Sequence, residues 1–193
     1  LQDAEISVVA PLVDASGNSL HRHEGFRFAL FPRRGGYPPE LDNMDSLLVL
    51  GRTLGRIHTV GASARFQYRP TLSVENMLTH NRGYLLEHFI PRDLQPAYDS
   101  LTRDLLAVVL PLYGEVQDED LIRWRDDCAH FVDLDDCCMA PAVQDLWMCL
   151  SGERHERELQ LAELIEGYNE FGDFAPRQLR WIEALRTLRL VNY

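Results

Sequence analysis

The sequence contains no lysine: all 19 of its basic residues are arginine. That absence excludes a Walker-type P-loop, a Schiff-base enzyme and a lysine of the kind that kinases place on nucleotide phosphates. Positive charge is also scarce overall, because 30 acidic residues leave a net charge of −11. Such a surface argues against broad binding to nucleic acid, where arginine and lysine must neutralise phosphates, and against a polybasic membrane anchor. No apolar run approaches the roughly 18 residues of a membrane span. Leu1-Gln-Asp-Ala-Glu5 has neither the basic start nor the apolar middle of a secretory signal. Cysteine is confined to Cys128, Cys137, Cys138 and Cys149, without CxxC spacing. A vicinal pair makes a poor structural disulfide and a poor zinc site. Buried or half-buried thiols in a reducing compartment are expected, with a cytoplasmic location. G-x-S-x-G and H-E-x-x-H are both missing, so nothing supports a hydrolytic triad or a zinc peptidase.

What is present suits one folded domain: 193 residues, 46% apolar and 9% aromatic. Ile6–Pro11 reads as a short β segment, Asp14–Ser19 as a turn and Phe26–Phe31 as a strand, together an antiparallel hairpin. A loop rich in proline and glycine runs to about Asn43. From Met44 the period becomes helical, with Leu47, Leu50, Leu54, Ile57 and His58 on one face, Asp42 or Asn43 as the cap and Gly61 past the end. Gly51 and Gly55 inside this helix imply close backbone packing. A loop with Pro70 and Leu72–Leu78 follows. A helix over 95–113 carries Leu101, Leu105, Val108, Val109 and Leu112. His130–Leu134 reads as a buried strand, and helices follow at about 143–150, 157–171 and from Pro176 to the end. The class is α+β, with a small β portion leading a mostly helical body.

Phe131-Val-Asp-Leu-Asp-Asp136 is the sharpest local feature. Alternation puts Asp133 and Asp135 on one strand face and Asp136 on the other. Two carboxylates facing one way suit a hard cation such as Mg²⁺; equally, the aspartates could cap the following turn. Asp145 in Pro141-Ala-Val-Gln-Asp-Leu-Trp147 sits in a first helical turn, where an acid is favoured by the helix dipole. His21 and His23 flank a turn without a third ligand. His58 ends an apolar helix face, as a hydrogen-bonded core histidine would. His80, His88 and His155 are isolated.

The order of Phe26-Arg-Phe-Ala-Leu-Phe-Pro32, Gly51-Arg-Thr-Leu-Gly-Arg-Ile-His58, Phe131-Val-Asp-Leu-Asp-Asp136 and Pro141-Ala-Val-Gln-Asp-Leu-Trp-Met148 resembles the aminoglycoside phosphotransferase and choline kinase group. Within it the chain is most similar to bacterial stress response kinases of the YihE/RdoA type, a likeness that "EGYNEFGDF" and "LRTLRLVNY" extend over nearly the whole chain. The resemblance implies a protein-kinase-like fold, with residues 1–34 as a remnant of the N-terminal lobe (hairpin and hinge) and 35–193 as the helical C-terminal lobe. It implies an ATP-dependent phosphotransferase, a serine/threonine protein kinase acting in stress response, monomeric, with Mg²⁺ as cofactor and neither nucleic acid nor membrane as partner. A small-molecule hydroxyl kinase of the choline or aminoglycoside type is the alternative. Carried over by position, Asp133 matches the metal-binding aspartate, with Asp135 beside it. Ala29, Leu30 and Phe31 match the hinge, whose backbone would bond the adenine edge. Asp145 matches an aspartate that braces the catalytic loop, and His58 a structural motif histidine.

Three parts of the pattern are expected and missing, one of them the far ends of the C-terminal helices. The family's catalytic loop, of the form H-G-D-x-H-x-G-N, is expected where Arg123 abuts Trp124, and the glycine-rich loop and phosphate lysine of the N-terminal lobe are not in the sequence either. The catalytic base is therefore unassigned, and the chain as it stands is expected to be a non-catalytic interaction domain. Losing the loop is expected to expose Leu121 and Ile122. The working protein is expected to be longer, with a lysine-bearing lobe and a loop between Arg123 and Trp124. Intact mass spectrometry checks this: a mass well above 22.2 kDa, with peptides bridging Arg123 to Trp124 through extra residues, is the expected result. A direct Arg123–Trp124 bond at 22.2 kDa would leave the interaction domain.

Overall fold

A computed structural model of the chain describes residues 1–37, 40–124 and 137–192. The main scaffold is helix α1 (Met44–Ala62) crossed on α5 (Arg154–Tyr168). Asn43 caps α1, its Oδ1 accepting the Ser46 N–H at 3.3 Å. The buried face holds Leu47, Leu50, Leu54, Ile57 and His58, as the spacing predicts. The helix does not stop before Gly61, which is buried within it; the end comes at Ser63, whose N–H bonds the Val60 carbonyl. Packing on Gly61 outweighs its weak helix propensity.

The crossing is backbone on backbone. A Cβ at Gly51 would lie 2.2 Å from the Leu164 carbonyl oxygen, one at Gly55 2.5 Å from that of Tyr168, and one at Gly167 2.1 Å from that of Leu48. Each glycine thus removes the one atom that would hold the helices apart. Around this contact Leu47, Leu78, Leu146, Leu164, Leu185, Leu188 and Trp181 are sealed from solvent. Each such side chain contributes roughly 1.5–3 kcal/mol.

The small β portion differs from the expected hairpin. Ile6–Pro11 is not a strand. The turn at Asp14 is present, its carboxylate accepting the Ser16 and Asn18 N–H groups with Gly17 at φ +81°. The paired strands are β1 (His21–His23) and β2 (Phe26–Phe28), with Arg22 opposite Arg27. Glu24 and Gly25, both at positive φ, turn the chain between them. Leu12 touches the second arm through one bond, its N–H to the Leu30 carbonyl at 2.7 Å.

Helix α2 (His80–His88), preceded by a π-helical turn over Glu75–Thr79, lies in a stretch where the sequence predicts no element. None of its nine residues is buried, so it carries no apolar stripe to read. Helix α3 (Gln95–Tyr113) has the expected bounds, with Pro96 in its first turn. Its buried side is Thr102, Val109 and Tyr113, whereas Leu101 and Val108 face outward, because the apolar stripe is wider than the surface it packs on.

Strand β3 (Leu121–Trp124) pairs antiparallel with β4 (Cys138–Pro141), Arg123 opposite Met139 and Trp124 opposite Cys138. Residues 70–72 flank β4 on its other edge through Leu72 N–H to Met139 O (2.8 Å) and Met139 N–H to Pro70 O (2.9 Å). The strand therefore runs unbroken through Arg123 and Trp124. Ile122 is buried and Leu121 half-buried, against the expected exposure, because pairing with β4 covers both residues. The strand expected at His130–Leu134 lies outside the described residues. Helix α4 (Val143–Met148) follows β4 after one residue. Helix α5 starts at Arg154, earlier than expected, because Glu153 and Glu156 form a capping box. Pro176 opens a 3₁₀ turn to Trp181 that leads into α6 (Ile182–Asn192), rather than one continuous helix.

Substituting Gly51 or Gly167 by alanine is expected to lower stability by about 1–3 kcal/mol through overpacking. Gly83→Ala in α2, where a Cβ meets nothing within 4 Å, is the control and is expected to be neutral or stabilising. Denaturant midpoints compare the three, and equal midpoints would remove the crossing as a constraint.

Candidate active site

The segment that carries Asp133 and Asp135 lies outside the described residues, whereas the strands before and after it are described. It leaves β3 and returns into β4, whose four residues are all buried, and then into α4. Helix α4 has no N-cap side chain of its own. Gln178, from the turn before α6, supplies the missing acceptor, its Oε1 taking the Val143 N–H at 3.1 Å. Gln144 Oε1 accepts the Trp147 indole N–H at 3.0 Å, and the Asp145 carbonyl accepts from Cys149 Sγ at 3.3 Å. A six-residue helix thus gets fixed from outside and within, which a helix this short needs.

Asp145 is the central polar group of α4. Its Oδ2 lies 2.7 Å from Nε2 of His58 on α1. Both residues are buried, and the carboxylate charge is held by a charge-assisted hydrogen bond. Nδ1 of the same imidazole lies 3.1 Å from the Tyr168 hydroxyl at the end of α5. Burial pushes the Tyr168 phenol far above its ordinary range, with the Asp145 and Asp173 charges adding to the effect. Three helices therefore meet at one imidazole. The pairing of His58 with Asp145 joins two residues that the sequence singled out separately. Tyr168 was not among them: one tyrosine on an apolar helix face gives no signal of its own.

A second buried acid, Asp120, was also missed. It closes the 3₁₀ turn Asp118–Asp120 immediately before β3, its Oδ2 accepting the Gln117 N–H at 3.0 Å and its Oδ1 the Arg177 guanidinium at 2.6 Å. Arg180 to Glu115 (2.9 Å) lies alongside. These pairs tie the approach to β3 to the turn that also holds α4.

Ala29, Leu30 and Phe31 follow β2 outside any regular element, with Leu30 and Phe31 exposed. The Leu30 carbonyl is engaged by Leu12. Among the described residues no three His, Cys, Asp or Glu side chains come together as a metal site. Also among them, no helix is long and apolar enough to cross a membrane.

This arrangement is the fold of known small-molecule kinases. One solved structure, an amicoumacin kinase in complex with AMP-PNP, Ca²⁺ and its antibiotic, superposes with a TM-score of 0.71 at 17% identity, over 99% of this chain and 64% of that one. A spectinomycin phosphotransferase in complex with ADP and spectinomycin gives 0.64 at 15% identity, over 99% and 67%. Residues 1–182 match the phosphotransferase enzyme family, and the chain belongs to it. Its similar relatives include stress response kinase A of Escherichia coli K12, 40% identical over 204 residues that take in 100% of this chain and 61% of the relative. Serine/threonine protein kinase RdoA of Salmonella typhimurium LT2 is 37% identical over 200 residues, covering 98% and 60%. The chain thus spans about three fifths of the length of these relatives.

Asp145→Asn removes the charge that His58 holds and is expected to lower stability by about 1.5–3 kcal/mol. Urea unfolding checks it, and an unchanged midpoint would show that the buried pair does not hold α4.

Proposed function

We propose that this chain is the greater part of an ATP-dependent phosphotransferase, moving the γ-phosphoryl group of ATP to a hydroxyl. The observation that carries the reading is the His58–Asp145 bond, which ties the helix after the hinge to the helix after the aspartate segment. Membership of the phosphotransferase enzyme family supports it. In this reading residues 1–34 are the hinge side of an N-terminal lobe and residues 35–193 the helical lobe.

Asp133 would be the principal Mg²⁺ ligand, with Asp135 beside it, and the backbone of Ala29, Leu30 and Phe31 would meet the adenine edge. Asp133 and Asp135 would hold the ion, which would supply positive charge against the charge that builds during phosphoryl transfer. Asp145, held by His58, would brace the loop that presents the acceptor hydroxyl. The acceptor is a serine or threonine hydroxyl of a protein, supported by the name of the Salmonella relative. A small-molecule hydroxyl is the second reading, favoured by the antibiotic-bound structures that share the fold. The protein would act as a cytoplasmic monomer. In this reading the base for the acceptor hydroxyl belongs to a loop between Arg123 and Trp124, and the chain without that loop would be an interaction domain.

The test is Asp133→Ala in the complete protein, assayed for Mg²⁺-dependent ATP turnover with serine- and threonine-containing proteins and, in parallel, with choline and aminoglycosides. Loss of turnover with cooperative unfolding retained is expected. Near-normal turnover in the variant would sink the assignment of Asp133, and transfer only to the small acceptors would replace the protein-kinase reading.

A further inference from the structure

The Tyr168–His58–Asp145 chain has a direction. An ionised carboxylate only accepts, so the 2.7 Å contact requires a proton on Nε2 of His58. The other nitrogen faces a hydroxyl at 3.1 Å that is able to donate or to accept. The hydroxyl has both a proton to give and lone pairs to offer, so what Nδ1 carries decides the direction. A neutral imidazole with Nε2–H offers its lone pair at Nδ1, where the hydroxyl stands. The tyrosine ring is itself held, meeting the imidazole at 62° with centroids 5.4 Å apart and Phe174 at 79° and 5.8 Å. Close passage of the backbone at Gly55 fixes where Tyr168 begins.

We propose that Tyr168 is a positioning residue: with the Nε2–H of His58 committed to Asp145, its hydroxyl donates to Nδ1 and holds the imidazole in the orientation that aims that N–H at the carboxylate. The alternative neutral tautomer would put a lone pair against a buried carboxylate, so Asp145 excludes it, and the hydroxyl holds the ring in the orientation that this bond needs. The effect on turnover rests on the phosphotransferase reading, whereas the tautomer is a property of the fold alone.

Two-bond ¹H–¹⁵N correlation spectra of the histidine-labelled protein separate these cases at neutral pH. The wild type is expected to show a protonated Nε2 and an unprotonated, hydrogen-bonded Nδ1 at His58. Tyr168→Phe keeps the ring and is expected to move the Nδ1 resonance toward that of an unbonded nitrogen. It should also lower kcat by about threefold to tenfold, one neutral hydrogen bond, with the KM for ATP unchanged. A proton on Nδ1 in the wild type overturns the proposal with no substitution needed. So does an unchanged His58 spectrum in folded Tyr168→Phe, or a shifted spectrum with unchanged kcat. Were the complete wild-type protein to transfer no phosphoryl group while the spectra behaved as expected, the phosphotransferase reading would fail and the tautomer assignment would stand.

Discussion

Everything near the candidate site depends on two helices touching without side chains between them. Gly51 and Gly55 on α1 and Gly167 on α5 each face a carbonyl of the other helix at a distance no Cβ would tolerate. Glycine in a helix costs about 1 kcal/mol against alanine, so three of them at one crossing need a large return. Part of that return is packing, since Leu47, Leu54 and Leu164 are buried beside the crossing. The rest is placement, because the same approach brings Tyr168 and His58 within hydrogen-bonding reach.

From that crossing the order propagates outward through a few polar contacts rather than through a large sheet. Helix α4 is too short to hold itself, and it is fixed by His58 from α1 and by Gln178 from the turn before α6. The same turn sends Arg177 to Asp120 at the entrance to β3. The two strands that bracket the aspartate segment are thus referenced to one framework from both ends. Asp120 and Asp145 are buried acids, and each has a cationic or N–H partner, as a charge removed from water requires.

How much of this the sequence discloses follows from the kind of signal each element leaves. Helices α1 and α3 carry sustained periodicity, and their starts at Met44 and Gln95 are legible to the residue. The paired glycines of α1 disclose a close approach but not their partner, since Gly167 lies more than a hundred residues away. Helix α2 buries nothing and so leaves no stripe. The β hairpin is misplaced because the apolar alternation of Phe26, Phe28 and Leu30 outlasts the actual pairing, while the turn itself sits on Glu24 and Gly25. The separate interest of His58 and Asp145 is visible in the sequence. Their meeting is not, because it is made by tertiary packing alone, as is the part of Tyr168.

An all-arginine set of side-chain cations gives this chain an unusual alkaline limb. Arginine stays charged to extreme pH, so pairs such as Arg52–Glu170 and Arg177–Asp120 do not weaken as base is added. What base attacks instead is the unfolded chain's freedom to ionise its phenols. Tyr113 and Tyr168 are buried and pushed upward chiefly by that burial, so the folded state holds their protons after the unfolded state has released them. Their contribution to stability is complete below the ordinary phenol pKa of about 10 and is lost as pH climbs toward the raised folded values. Alkaline unfolding would then begin from two interior hydroxyls, one of them on the imidazole that anchors the site, while the ionic surface stayed intact.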